Sequence, residues 1–150
     1  RFATSSCTKD PKVGVAAKSM EALKLKDFYS LRLLSTPPFS VQYVLEAVMH
    51  LLAGEVGIDL DVGGGAKDTS WRSAAKLLGH PQFLQHLSTL KRRIDRGSVP
   101  RNNIEKARAV QELLGPRFSP VVVAETSAPV GGLCAWVIGT VAYYDFITSV

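Results

Sequence analysis

The hydrophobic positions of this chain follow a helical period in several separate segments. In residues 16–36 apolar residues recur at three- and four-residue spacing, but the apolar stripe changes position between Leu23 and Leu25. A narrow stripe of this kind is typical of a coiled coil and equally of an ordinary amphipathic surface helix. The pattern predicts a helix over residues 16–36, after a polar and aperiodic start at residues 1–15 that we expect to be frayed or disordered.

Prolines and glycines divide the middle of the chain into short helices. Pro37 and Pro38 end the first helix, because proline lacks an amide hydrogen and disfavours helical backbone in the residue before it. Ser40 is expected to cap the next helix, and Pro81 to occupy the first position of a later one. The apolar periods and their caps predict helices over residues 40–53, 71–78, from Pro81 to Arg96, from Pro100 to Leu114 and, very short, over 120–125.

A final apolar segment over residues 130–150 follows Pro129 and repeats at close to heptad spacing. Residues 126–144 carry no charge, but only residues 133–144 form a solid apolar block. That block is too short to cross a membrane, and no cluster of Lys or Arg flanks it, so we expect a buried core helix. The predicted fold is all-α, with a small bundle of short helices between one longer helix and another.

The composition narrows the function classes. A hydrophobic content of 46% with 21% charged residues excludes a disordered chain, and two cysteines exclude a disulfide-dense scaffold. The glycine loop of residues 61–69 departs from a phosphate-binding loop, because Ala66 precedes Lys67 and Asp68 follows it. We expect a flexible surface loop there and a structural thiol at Cys134. No spacing predicts a metal, a cofactor or a catalytic site.

A basic cluster is the strongest candidate for function in a chain of net charge +5. Its members, which fall within eleven residues, are Lys91, Arg92, Arg93, Arg96 and Arg101. One interpretation is a solvated helix end, the usual fate of a charge run. The other is a docking surface for an anionic partner, either nucleic acid or an acidic protein face. The cluster has no interleaved aromatic residues, which argues against single-stranded nucleic acid.

Several segments, taken in order, resemble one known family. They are Leu31–Leu52 (LRLLSTPPFSVQYVLEAVMHLL), Ser70-Trp71, Ala75–Gly79, Phe83-Leu84 with Leu87, Phe118, Pro120, Ser127 and Gly132–Val137 (GLCAWV). Together these segments resemble the microtubule-binding domain at the stalk tip of dynein heavy chains. The loop after Leu52 and the stretch of residues 91–98 look longer than in cytoplasmic members, which indicates an axonemal heavy chain.

The resemblance implies a division of the chain. Residues 16–36 and 130–150 would be the distal ends of an antiparallel two-helix coiled coil, with the globular tip, residues 37–129, between them. The hinge residues, where stalk and tip join, would be Pro37, Pro38 and Pro129. Tubulin in microtubules would be the partner, in the cytoplasm and cytoskeleton and specifically in a ciliary axoneme. ATP hydrolysis would lie elsewhere in the parent chain, with the register of the stalk helices setting the affinity for microtubules.

The resemblance also implies the contact residues. In the family the first and third tip helices and the start of the last helix face the groove between tubulin subunits. The predicted microtubule contacts are Gln42, Tyr43, Glu46, Lys91, Arg92, Arg93, Arg96 and Arg101. Basic residues of the family are replaced here by Gln42, by Ala124 with Glu125, and by Ala135. We therefore expect weak binding that the cations of the third tip helix compensate. The alternative function is a helical nucleic-acid-binding domain that uses residues 91–101.

Overall fold

The computed structural model describes residues 24, 26–29 and 31–149. Its α-helices are α1 (Lys26–Tyr29), α2 (Phe39–Leu52), α3 (Trp71–Leu78), α4 (Phe83–Asp95), α5 (Arg101–Leu114), α6 (Pro120–Ala124) and α7 (Ala128–Thr148). Short 3-10 helices span Leu31–Leu33 and Gly115–Arg117. The described part of the chain contains no β-strand, and the all-α prediction is confirmed.

The core lies where α2, α5 and α7 pack together. Helix α2 buries the apolar face that its period predicts: Val41, Val44, Leu45, Val48, Leu51 and Leu52. Helix α7 buries residues on every side, from Val130 through Leu133 and Val137 to Val141. A helix that is apolar all round belongs in the interior of a protein or in a membrane.

Helix α7 is long and apolar enough to cross a membrane by length and composition. However, 61% of its apolar window is buried inside the protein, because α2, α4, α5 and α6 all pack against it. The prediction of a buried core helix agrees with this arrangement. The helix begins at Ala128, with the Ser127 hydroxyl accepting a hydrogen bond from the Val130 amide at 3.4 Å. Pro129 therefore lies within its first turn, where a missing amide hydrogen breaks no helical bond.

Local signals placed some helix starts correctly. The Ser70 hydroxyl accepts a hydrogen bond from the Ser73 amide at 3.3 Å and caps α3, whose predicted bounds of 71–78 are confirmed. The Ser119 hydroxyl likewise accepts from the Val122 amide and begins α6.

Besides the start of α7, which the sequence placed after Pro129 and the structure places at Ala128, two predicted starts are wrong. Helix α2 begins at Phe39 with Pro38 as its cap residue, so Ser40 lies inside the helix and caps nothing. The side chain of Gln42 turns back instead and donates to the Pro37 carbonyl at 2.9 Å.

The second concerns Pro81, which precedes α4 by two residues. A hydrogen bond from the Phe83 amide to the His80 carbonyl closes a turn in that place. The side chain of His80 strengthens this turn, because its Nδ1 accepts from the Gln82 amide at 3.1 Å.

The segment that precedes α2 is fixed by two aromatic side chains. Phe28 is fully buried, with its ring edge-to-face on Phe83 at 5.5 Å between centroids. The indole of Trp71 donates to the Leu34 carbonyl at 2.9 Å. Regular helical structure ends at Leu33, three residues before the predicted limit of 36. Residues 16–23, 25 and 30 of the predicted stalk helix and the whole of residues 1–15 lie outside the described residues, so the continuous stalk helix and the frayed start remain predictions.

Candidate functional site

The basic cluster lies at the C-terminal end of α4 and in the turn that joins α4 to α5. Arg92 and Arg93 belong to the last turn of α4, Lys91 lies just before that turn, and Arg96 is the C-cap residue of the helix. Cations at this end are stabilised by the partial negative charge of the helix terminus. The cluster therefore has a local structural role, and its availability for a partner depends on what each side chain contacts.

Two members of the cluster are engaged within the protein. The Arg93 side chain is only 14% exposed and lies 3.8 Å from the Glu55 carboxylate, in the loop after α2. His86 lies 3.9 Å from the same carboxylate. The Lys91 ammonium sits 5.0 Å from the centroid of the Tyr143 ring, a cation–π contact with the last helix. Arg93 and Lys91 thus fasten α4 to its neighbours.

The remaining members face solvent. Arg92 and Arg96 are exposed, and neither forms an ion pair with any residue in the described ranges. Arg101 is 79% exposed, and its nearest carboxylate, that of Glu105, is at 4.0 Å. An exposed pair at that distance contributes little to stability. Lys91 is exposed as well, but its ammonium already contacts Tyr143, so Arg92, Arg96 and Arg101 are the cations of this cluster most available to an acidic partner.

The other predicted contacts share one outward face of α2. Gln42 is exposed and bonded to the Pro37 carbonyl, as described above. Tyr43 is half-buried, with its ring edge-to-face on Phe39 at 5.8 Å. Glu46 is partly exposed and lies 3.5 Å from the imidazole Nε2 of His50.

Arg117 belongs to this face although the sequence analysis did not assign it there. Its guanidinium carbon lies 5.1 Å from the centroid of the Phe39 ring, which is 48% exposed. Helices α2 and α5 run antiparallel, since the Asn103 amide near the start of α5 donates to the Ala53 carbonyl at the end of α2. That packing returns Arg117 to the start of α2. No short-range sequence signal connects Arg117 with Phe39, because the contact is long-range.

The structure does not join the α2 face to the basic cluster. Within the part of the chain that is described, Glu46 pairs with His50 and with no cation of residues 91–101. Lys91 contacts Tyr143, which lies 15 residues beyond Ala128, or about 22 Å along α7 at 1.5 Å per residue. The cluster therefore lies beside the second half of the last helix and not at its start. The predicted contacts therefore fall into two groups, the α2 face with Arg117 and the end of α4.

The glycine loop differs from its prediction. Val62 at its tip is fully exposed, but Gly65 and Ala66 are buried. The Gly65 amide donates to Asn103 Oδ1 at 2.7 Å, and the Ala66 amide donates to His50 Nδ1 at 3.0 Å. The base of the loop is thus anchored on α5 and α2, and only its tip is a surface loop.

The shifted pKa values of Cys134 and Asp68 reflect structural roles of these side chains. Burial raises the pKa of the Cys134 thiol to about 12, which fits the expected structural role. Hydrogen bonds from Ser70, and then from Ser73, lower the pKa of Asp68 to about 2, so this carboxylate is committed to the start of α3. In the described ranges no three His, Cys, Asp or Glu residues lie close enough to hold a metal ion.

Similarity to known proteins identifies the family to which this fold belongs. The sequence model of the family "Microtubule-binding stalk of dynein motor" matches residues 3–150. A solved structure, the Microtubule Binding Domain of DYNEIN-C, superposes with a TM-score of 0.65 at 30% identity, over 93% of this chain and 86% of that one.

Two curated proteins show the same likeness. Dynein heavy chain-like protein 2 of Plasmodium falciparum (isolate 3D7) is 30% identical over 151 residues, or 96% of this chain. Dynein alpha chain, flagellar outer arm, of Chlamydomonas reinhardtii is 30% identical over 152 residues, or 97% of this chain. The chain spans 3% of the length of each of these relatives.

The chain belongs to the family of microtubule-binding stalks of dynein motors. It is a stalk module and not a catalytic domain of the motor. The alternative of a nucleic-acid-binding domain is not supported.

Proposed function

We propose that this chain is the tip with which an axonemal dynein heavy chain binds tubulin in microtubules. Membership of the stalk family supports the partner, and the flagellar relative supports the axoneme as the location. The ATPase would lie elsewhere in the parent chain, because this module matches the stalk of the motor.

The observation that carries the proposal is the set of exposed cations at the end of α4 and the start of α5. Arg92 and Arg96 are exposed and form no ion pair with the residues described, and Arg101 is 79% exposed. Cations in this state attract an acidic surface at long range and pair with it on contact, with a strength that falls as salt screens the charges. Arg93 and Lys91 contribute by holding α4 in place.

The α2 face is the second part of the proposed surface. Gln42, Tyr43 and Glu46 present few charges of their own, so Arg117 above Phe39 supplies the cation there. A half-exposed aromatic ring beside a guanidinium is a common anchor in protein interfaces. The face therefore adds apolar contact area to the electrostatic attraction of the α4 end.

A charge-matched pair of variants tests the site. We expect the double variant Arg92→Gln/Arg96→Gln to pellet with microtubules about two- to thirtyfold more weakly, since each exposed ion pair contributes about 0.2–1 kcal/mol. The control is Arg72→Gln/Lys76→Gln, which removes two exposed cations from α3. The measurement is co-sedimentation at two salt concentrations. Equal losses in both variants would mean that only net charge matters, and failure of the unmodified chain to pellet would refute microtubule binding itself.

We also propose that the register of the stalk helices sets the affinity. The near-heptad spacing of α7 supports a coiled coil, and the change of stripe between Leu23 and Leu25, which lie outside the described residues, supports two pairings of similar energy. Cysteine pairs that lock either register by a disulfide are expected to give different microtubule affinities. Equal affinities would contradict the register proposal while leaving the binding surface unaffected.

A further inference from the structure

Tyr143 connects the last helix directly to the basic cluster. Its side chain is 5% exposed, and its hydroxyl shares a hydrogen bond with the Asp95 carboxylate. The face of the same ring lies 5.0 Å from the Lys91 ammonium. One residue of α7 therefore contacts both an acid and a base at the end of α4.

The position of Asp95 makes this contact significant. Asp95 is the last residue of α4, where the partial negative charge of the helix end disfavours a carboxylate. Lys91 and Arg92 lie four and three residues before it, the spacings at which helical side chains form ion pairs, and Arg96 follows it. A free Asp95 carboxylate would pair with these cations and reduce the positive charge that the surface offers.

In the structure Asp95 does not pair with them. Within the described residues, the ion pair of this region joins Arg93 to Glu55, the His86 imidazole lies beside the same carboxylate, and no cation pairs with Asp95. The hydrogen bond to Tyr143 satisfies the carboxylate instead and turns it toward α7. A hydroxyl can do this without adding charge, so the neighbouring arginines keep their full positive charge toward solvent.

We propose that Tyr143 is a positioning residue for microtubule binding: it holds the Asp95 carboxylate against α7 and so keeps Arg92 and Arg96 available to the acidic surface of tubulin. This inference rests on the proposed function. Because Tyr143 belongs to the last helix, the charge that the tip presents depends on where that helix lies relative to α4.

A double-mutant cycle on Tyr143 and Asp95 tests the proposal. Tyr143→Phe keeps the buried ring under Lys91 but frees Asp95, and we expect microtubule binding to weaken by about two- to fivefold. Asp95→Asn removes the competing charge and still accepts the hydroxyl, so binding should equal or exceed that of the unmodified chain. The decisive measurement is on the combined variant. It should bind like Asp95→Asn alone, because no carboxylate at position 95 is then left to pair with Arg92 and Arg96.

The control is Tyr144→Phe, which removes a hydroxyl from the adjacent, partly exposed tyrosine and should leave binding unchanged. Thermal melting by circular dichroism checks that all variants fold. A loss of the same factor on Tyr143→Phe with and without Asp95→Asn would make Tyr143 a merely structural residue and overturn the inference, as would Tyr143→Phe binding like the unmodified chain. Failure of the unmodified chain to pellet would refute the proposed function and this inference together.

Discussion

Arg108 binds both carboxylate oxygens of Asp145 and joins α5 to the last helix. The two guanidinium nitrogens lie 3.0 Å and 2.7 Å from the two oxygens, and Glu105 adds a third contact at 3.3 Å. Two parallel charge-assisted bonds fix the relative orientation of both partners as well as their distance. The hydrogen bonds to Asp145 raise the pKa of Arg108 still further above its ordinary range. The pair locates the second half of α7 on the tip.

We expect Arg108→Gln to lower the free energy of unfolding by about 1 kcal/mol, because the bidentate geometry strengthens a pair that is partly exposed. Urea denaturation followed by circular dichroism measures it. The matched control is Arg101→Gln, whose carboxylate neighbour is 4.0 Å away and whose side chain is 79% exposed, with an expected change below about 0.5 kcal/mol. Equal changes in the two variants would show that the geometry of the pair adds nothing.

Asn103 and Asn102 provide a test of the loop anchor. Asn103 is fully buried, accepts from the Gly65 amide and donates to the Ala53 carbonyl. Asn103→Ala strands both backbone groups, so we expect the free energy of unfolding to fall by about 2–3 kcal/mol and exchange of the Gly65 amide hydrogen to accelerate. Asn102→Ala is the control, since that side chain is exposed and alanine keeps the Cβ that touches Gly64. Slow exchange at Gly65 in the Asn103 variant would contradict the anchor.

Cys134 gives the tip a defined sensitivity to alkaline pH. Burial raises its pKa from 9.0 to about 12, so the folded state keeps the neutral thiol where the unfolded chain ionises. Its contribution to stability is complete below pH 9.0 and is lost as the pH rises from 9.0 toward about 12. Urea midpoints of the unmodified chain should fall over this window more steeply than those of Cys134→Ala. Equal slopes of the urea midpoint against pH in the two proteins would contradict the raised pKa of Cys134.

A thiol reagent at pH 8 should react with Cys134 only after unfolding.

Gln42→Lys tests whether the α2 face binds microtubules weakly because it lacks a cation at this position. The resemblance to the stalk family implies a basic residue at this position, and Gln42 is exposed on the proposed surface. One added cation facing an acidic partner should tighten microtubule binding by about two- to fivefold and steepen its dependence on salt. Co-sedimentation over a salt series measures both effects. The control is Gln85→Lys, an exposed position on α4 away from its basic end. An equal gain in affinity from Gln85→Lys would mean that only net charge matters, and it would contradict a contact at the α2 face.

Some helix ends could be predicted from local residues and others could not. The predicted starts of α3 and α6 agree with the structure, because the caps Ser70 and Ser119 act on amides three residues away in the same segment. Ser40 satisfied the same pattern, yet Pro38 and the Gln42 side chain define that end of α2. The start of α4 depends in the same way on a turn that His80 closes. Competing local hydrogen bonds decide such cases, and a pattern of residue types does not rank them.

The candidate site was likewise predictable only in part. The sequence located every member of the basic cluster, because charge runs are visible without a fold. It could not separate Arg92 and Arg96 from Lys91 and Arg93, since the partners of the latter two, Tyr143 and Glu55, lie far away in the chain.

By itself, the sequence determined the helical class, the apolar face of α2, the buried character of α7, and the presence of a basic cluster. Each of these depends on residues within a few turns of one another. Only the tertiary structure decided which cations are free, that Arg117 lies on Phe39, and that Tyr143 holds Asp95. The physical reason is that these contacts form when separate helices pack in three dimensions, and a helical period specifies which face of a helix is buried but not which side chain it will meet.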